Sequence, residues 1–246
     1  MIAGTRNVLT RTGFWLLLPI SAMQGLWLRK TAVRLPEASG ERTGTFGQGS
    51  PLHLLALGDS IIAGVGTQTV DRSMPVQFAQ NLADSQNRHV HWRVEGSNGA
   101  DISHLLNSIN CLSDQQQADV VLISIGVNDV TGLSSKQYWR NQLIALMSKL
   151  RQKWPEARII FAGLPPMSKF PLPPQPLRFT LGLRAATLDT NLAEIVAGQV
   201  NMQHVPTLID PTQHDFCEDG FHPSAAACSF WAEELANQLR NDTLIK

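Results

Sequence analysis

Five short strand-like segments, separated by longer amphipathic ones, constrain this chain more than any other feature of it. The strongest is the apolar run ADVVLISI at residues 118–125; further short runs lie at 52–57 (LHLLAL), 158–162 and 204–209, and 90–94 alternates. A run that is apolar at consecutive positions puts apolar side chains on both faces of a strand, and such strands belong inside a sheet covered on both sides. The segments between them carry helical spacing, at 74–83, 136–154 and 181–200, and 224–240 closes the chain as a helix started by Pro223. Leu143, Leu146, Met147 and Leu150 form one stripe of the second of these. Strands alternating with helices predict an α/β domain with a five-stranded parallel sheet. At 246 residues and 43% hydrophobic composition the chain supports one core of ordinary size, placed over 52–246. In such a sheet, functional groups collect at the carboxyl ends of the strands near the topological switch point.

Residues 1–35 form a separate N-terminal segment. Its centre, 13–28, reads GFWLLLPISAMQGLWL without a charge, preceded by Arg6 and Arg11 and followed by Arg29, Lys30 and Arg34. These 16 residues fall short of the ~20 that span a bilayer core, and Pro19, Ser21, Gln24 and Gly25 dilute them. Three readings stay open: a signal anchor or monotopic membrane helix, a helix packed on the protein's own surface or on a partner, and a cleaved signal peptide. The last lacks a small-x-small site after the apolar run. Localisation is accordingly membrane-associated or cytoplasmic, with export open. Residues 36–51 (PEASGERTGTFGQGSP) read as a loop or linker.

Several function classes receive no support. Twenty basic residues balance twenty acidic ones, so no nucleic-acid face is indicated. Cys111, Cys217 and Cys228 contain no CxxC pair; neither a zinc site nor a disulfide framework follows, although a 217–228 bridge stays open for an exported protein. Gly58, Gly64 and Gly66 follow the first strand and Glu95 ends the second, as in a nucleotide-binding module. The spacing is GDSIIAGVG rather than GxGxxG, and no GK[ST] occurs. No metal and no cofactor is expected.

Four short motifs fall where a parallel sheet converges its site. Gly58-Asp59-Ser60 ends the first strand; Ser60 there is a nucleophile or, in the plainer reading, a helix N-cap. Ser97-Asn98-Gly99 follows the second strand and offers a free backbone N–H at glycine. Gly126-Val127-Asn128-Asp129 follows the third; the Asn128 amide can donate to a developing oxyanion, or the residues simply form a turn. Asp219-Gly220-Phe221-His222 precedes the last helix, with a carboxylate three residues before an imidazole. Asp101 and His104 share that spacing but open an expected helix, which marks them as structural. Jointly the motifs supply a nucleophile, a base, an orienting acid and oxyanion donors, a complete set for acyl transfer.

These blocks, in this order, resemble those of the SGNH (GDSL-type) hydrolases, over roughly residues 52–240. The resemblance implies a flavodoxin-like three-layer α/β/α sandwich and a bacterial serine esterase acting on small ester substrates. It assigns the nucleophile to Ser60, the base and acid to His222 and Asp219, and the oxyanion hole to Ser60, Gly99 and Asn128. The first block reads GDSIIAG, with isoleucine where many relatives carry leucine, a conservative change. No GxSxG occurs, so a sharp nucleophile elbow is not expected. Residues 164–177 (LPPMSKFPLPPQPL) hold six prolines and predict a stiff loop over the site, with Met167, Phe170 and Leu172 as candidates for an acyl pocket suited to short- to medium-chain groups. The same residues would serve an acyltransferase or a carbohydrate or thioester deacylase. Oligomeric state is not legible.

Overall fold

The computed structural model describes residues 19–113, 116–207 and 215–240. Its strands are β1 (Thr43–Phe46), β2 (Ser50–Gly58), β3 (Arg88–Gly96), β4 (Val120–Ser124), β5 (Arg158–Ala162) and β6 (Met202–Val205). Its helices are α1 (19–31), α2 (Met74–Gln86), α3 (Ile102–Ser108), α4 (Val127–Thr131), α5 (Lys136–Lys153), α6 (Leu177–Val196) and α7 (Ala225–Arg240). Residues 13–18 of the apolar segment and 208–209 of the last expected strand lie outside the described residues.

The strands form one sheet in the order β1-β3-β2-β4-β5-β6, with every pair parallel except β1 on β3. Helices cover both faces. The pleat divides each central strand between two cores. Leu55, Leu57, Val121, Ile123, Ile159 and Phe161 pack with residues of α3, α5 and α6. Leu54, Ala56, Val120, Leu122, Ile160 and Ala162 pack with residues of α2 and α7. The long apolar runs thus satisfy two layers at once, as their lack of alternation requires.

The sheet has six strands rather than the expected five. The sixth, β1, is antiparallel and falls inside the segment read as a loop or linker. Its sequence, TGTF, has no apolar run because as an edge strand it buries little, and its pairing partners lie far along the chain. Gly44 lets the Trp92 indole lie against the strand, since a Cβ there would sit 2.5 Å from the ring. Helix α6 also begins at Leu177, four residues before the expected start, directly after the proline-rich loop.

Helix α1 docks on the domain. The Gln24 side chain donates to Gln175 O at 2.8 Å and accepts from Leu177 N–H at 3.0 Å, while Leu28 packs on the core. Ile20, Met23 and Trp27 remain exposed on its outer side. Among the described residues no helix is long and apolar enough to cross a membrane.

Candidate active site

The order β3-β2-β4 puts the first core strand between the second and the third, so the chain reverses direction of winding across β2 and β4. A crevice opens outside the carboxyl ends of such a pair. Gly58 closes β2 against the end of β4: a Cβ there would fall 1.9 Å from Ser124 O. Glycine permits that approach, and Asp59 N–H then donates to the same Ser124 carbonyl at 3.1 Å. The turn that follows delivers Ser60 to the rim.

The second half of the site comes from the loop before α7. Asp219 is buried and works on its own loop: Oδ1 accepts from the N–H groups of Phe221 (2.9 Å) and His222 (3.0 Å). Its Oδ2 lies 2.6 Å from His222 Nδ1, and His222 Nε2 lies 3.1 Å from Ser60 Oγ. With the Nδ1 proton held by Asp219, Nε2 is left as the acceptor for the Ser60 hydroxyl. Burial raises the Asp219 carboxyl, but the hydrogen bonds from the His222 ring and from the His222 and Phe221 amides outweigh it and hold the group below its usual range. The two halves meet closely at Gly66, where a Cβ would lie 2.5 Å from Pro223 O and 3.3 Å from His222 Cβ. Cys217 Sγ spans the same seam, donating to Gly66 O at 3.1 Å.

Two further loops converge on the crevice. The Asn128 amide donates to Ala100 O at 2.8 Å, tying the loop after β4 to the one after β3. That bond uses one of the two protons on Nδ2 and leaves the other. Asp129 fastens the same junction, accepting from Ile102 N–H at 3.0 Å and from Ser134 Oγ at 3.1 Å. Among the described residues the backbone N–H groups of Ser60 and Gly99 donate to no protein acceptor. The structure therefore brings Ser60, Asp219 and His222 into one hydrogen-bonded chain, with Gly99 and Asn128 on the loops beside it.

Two buried carboxyls flank this chain. Burial pushes Asp59 up to about 7, against the lowering effect of its Ile61 N–H bond and of His222. Burial likewise pushes Asp129 up to about 6. The Asp101 and His104 pair forms no such chain: Asp101 Oδ1 accepts from His104 N–H as the N-cap of α3.

The candidate pocket residues separate. Phe170 stacks edge-on against Phe216 and Phe221 and lines a small apolar pocket of about 50 Å³ next to Ser60 and His222. Leu172 lines a different cleft, of about 660 Å³. Met167 is fully buried in the core and lines neither. The proline-rich loop is pinned to the His222 loop by Leu172 N–H donating to Gly220 O at 3.0 Å. Cys111, Cys217 and Cys228 are free thiols, and among the described residues no group of His, Cys, Asp or Glu side chains could hold a metal ion.

Sequence reasoning missed Glu37. Its Oε1 accepts from Asn98 N–H at 2.7 Å, holding the loop that carries Gly99, while Oε2 pairs with Arg42. An exposed glutamate in a loop-like stretch carries no local signal of that role.

Solved structures with the same architecture include a lipase from a goat rumen metagenome, 16% identical, with a TM-score of 0.62 over 76% of this chain and 96% of that one. A family 3 carbohydrate esterase from Clostridium thermocellum is 17% identical, with a TM-score of 0.64 over 78% and 96%. A psychrotrophic esterase from a Pseudoalteromonas species, solved inhibited by monoethylphosphonate, is 18% identical, with a TM-score of 0.59 over 77% and 97%. No curated protein matches the chain. These likenesses concern the fold. Family membership comes from residues 56–228, which match the GDSL-like lipase/acylhydrolase family and include every catalytic candidate. The chain is a carboxylic ester hydrolase and belongs to that family.

Proposed function

We propose that the chain is a serine esterase that works through an acyl-enzyme, with Ser60 as nucleophile, His222 as general base and Asp219 as the acid that orients the imidazole. The observation that carries this reading is the continuous path Ser60 Oγ, His222 Nε2, His222 Nδ1, Asp219 Oδ2, with spacings of 3.1 and 2.6 Å at its two hydrogen bonds. Ser60 Oγ attacks the ester carbonyl carbon as its proton passes to His222 Nε2. The carbonyl becomes an oxyanion, received by the Ser60 and Gly99 N–H groups and the spare Asn128 amide proton. Collapse breaks the carbon–oxygen bond to the alcohol, and His222 returns the proton to the departing alkoxide. Water then enters, gives a proton to His222 and attacks the acyl-enzyme carbonyl; collapse breaks the bond to Ser60 Oγ, His222 returns the proton to that oxygen, and the acid is released. Asp219 stays ionised throughout and stabilises the imidazolium.

The Phe170 pocket beside Ser60 suits a short- to medium-chain acyl group. An acyl acceptor other than water would make the same site a transferase, and a sugar or thiol leaving group would make it a carbohydrate or thioester deacylase. Product analysis with added alcohol separates transfer from hydrolysis. The test of the core reading is labelling with a fluorophosphonate followed by peptide mapping. The expected adduct is on Ser60, lost in Ser60→Ala; an active enzyme that labels elsewhere would overturn the assignment.

A further inference from the structure

We infer that the 660 Å³ cleft beside His222 binds a long hydrocarbon arm of the ester substrate, with helix α1 as one of its walls; this rests on the esterase reading above. The cleft begins at the site itself, where Asn128, Asp219 and His222 form its inner end. From there it runs between the body and α1, over Leu172, Leu181 and Phe221 on one side and Gly25 and Leu26 on the other. Its volume falls in the ~300–1,000 Å³ range of sites that bury sizeable organic ligands. Helix α1 lies wholly before residue 56, outside the part of the chain that matches the family.

Three large apolar residues that face this cleft, Leu26, Val33 and Leu133, are more than half exposed. Leu133 is also held at a φ of +62°, a conformation unfavourable for a bulky side chain. A hydrocarbon chain in the cleft would remove these surfaces from water. Of the three cations on its lining, the half-buried Arg184 already donates to the Val130 and Ser134 carbonyls, and Arg29 and Arg34 are exposed. His222 therefore stands between two unequal spaces, one of about 50 Å³ that Ser60 also lines and one of about 660 Å³. With the acyl group in the small pocket, the long arm is the alcohol's; in the reverse seating it is the acyl chain.

Gly25 provides the test, because its missing Cβ would point into open space. Gly25→Ala, Gly25→Leu and Gly25→Phe fill the cleft in steps, and each replaces glycine by a better helix former. The full chain is assayed on alkyl acetates from ethyl to decyl and on p-nitrophenyl esters from acetate to decanoate. In at least one series, wild-type kcat/KM should rise with chain length, by up to about fourfold per methylene withdrawn from water. Gly25→Phe should then lower the long-to-short ratio of kcat/KM by roughly tenfold or more, with Leu intermediate. Met23→Ser, on the outer side of the same helix, should leave the ratio unchanged. The series that responds identifies which arm enters. A ratio untouched by Gly25→Phe in both series, in an enzyme whose acetate hydrolysis still vanishes in Ser60→Ala, overturns the cleft assignment and leaves the esterase reading intact. Acetate hydrolysis indifferent to Ser60→Ala would instead remove the esterase reading, and the cleft assignment with it.

Discussion

At the scale of single residues, each hydrogen bond of the site makes a distinct demand. Asn128 already spends one amide proton on Ala100 O, so it is positioned without the substrate and needs no reordering when charge develops. Asn128→Ala should lower kcat by about 10²- to 10³-fold, or ~3 kcal/mol, with a smaller change in KM. Steady-state kinetics on a p-nitrophenyl ester checks this; unchanged turnover would remove Asn128 from the oxyanion role. Asp219→Asn makes a different prediction. An amide at that position can donate to Nδ1, which favours the tautomer whose Nε2 carries the proton and cannot accept from Ser60. The expected loss is about 10⁴-fold in kcat at neutral pH, with little loss of folded protein. The residues that meet in the crevice were legible in the sequence because each sits after a strand-like run or in the loop before the last helix, where a parallel sheet gathers chemistry. Glu37 was not legible, because a glutamate that holds a neighbouring loop looks like any solvated charge until the fold brings Asn98 to it.

At the scale of elements, legibility followed burial. Strands β2, β4 and β5 announce themselves because both faces are covered, and α5 because one stripe is. Strand β1 does not, since an edge strand of four residues satisfies one row of hydrogen bonds and hides almost no apolar surface. The docking of α1 was open to three readings for a related reason: Gln24 is a diluting polar residue by composition, yet its amide is what fastens the helix to Gln175 and Leu177. The junction of β2 and β4 gives the prediction that belongs here. Gly58→Ala forces a methyl group to within 1.9 Å of Ser124 O, and backbone cannot rotate out of the way as a side chain can. The strands must part at the point where Ser60 is presented. A destabilisation of about 3 kcal/mol is expected, which for a domain of this size lowers Tm by roughly 6–12 °C. Thermal unfolding reads it directly, and a Tm within a degree or two of wild type would show that the strand ends are less tightly fixed than the geometry states.

For the whole molecule, the carboxyls around the crevice couple stability to pH in opposing directions. Asp59 and Asp129 are pushed up, to about 7 and about 6, chiefly by burial. The folded state therefore holds protons that the unfolded chain, with its carboxyls near 4, has already released, and their share of stability falls as pH rises from about 4 through about 7. Asp219 is held below its usual range, so its share is present above about pH 4 and fades as pH falls further. The two trends leave a maximum on the acidic side of neutrality. Tm should decline between about pH 5 and about pH 8, and Asp59, the more strongly raised of the pair, should carry the larger part, on the order of 2 to 4 kcal/mol. Asp59→Asn keeps an acceptor for the Ile61 N–H and removes the charge. It should flatten the decline, so that the variant gains on wild type at about pH 8 more than at about pH 5. If wild type and Asp59→Asn trace parallel curves of Tm against pH, Asp59 ionises freely in the folded protein. The charge next to Ser60 is then solvated at neutral pH, and the crevice is wetter at its floor than the packing of β2 against β4 implies.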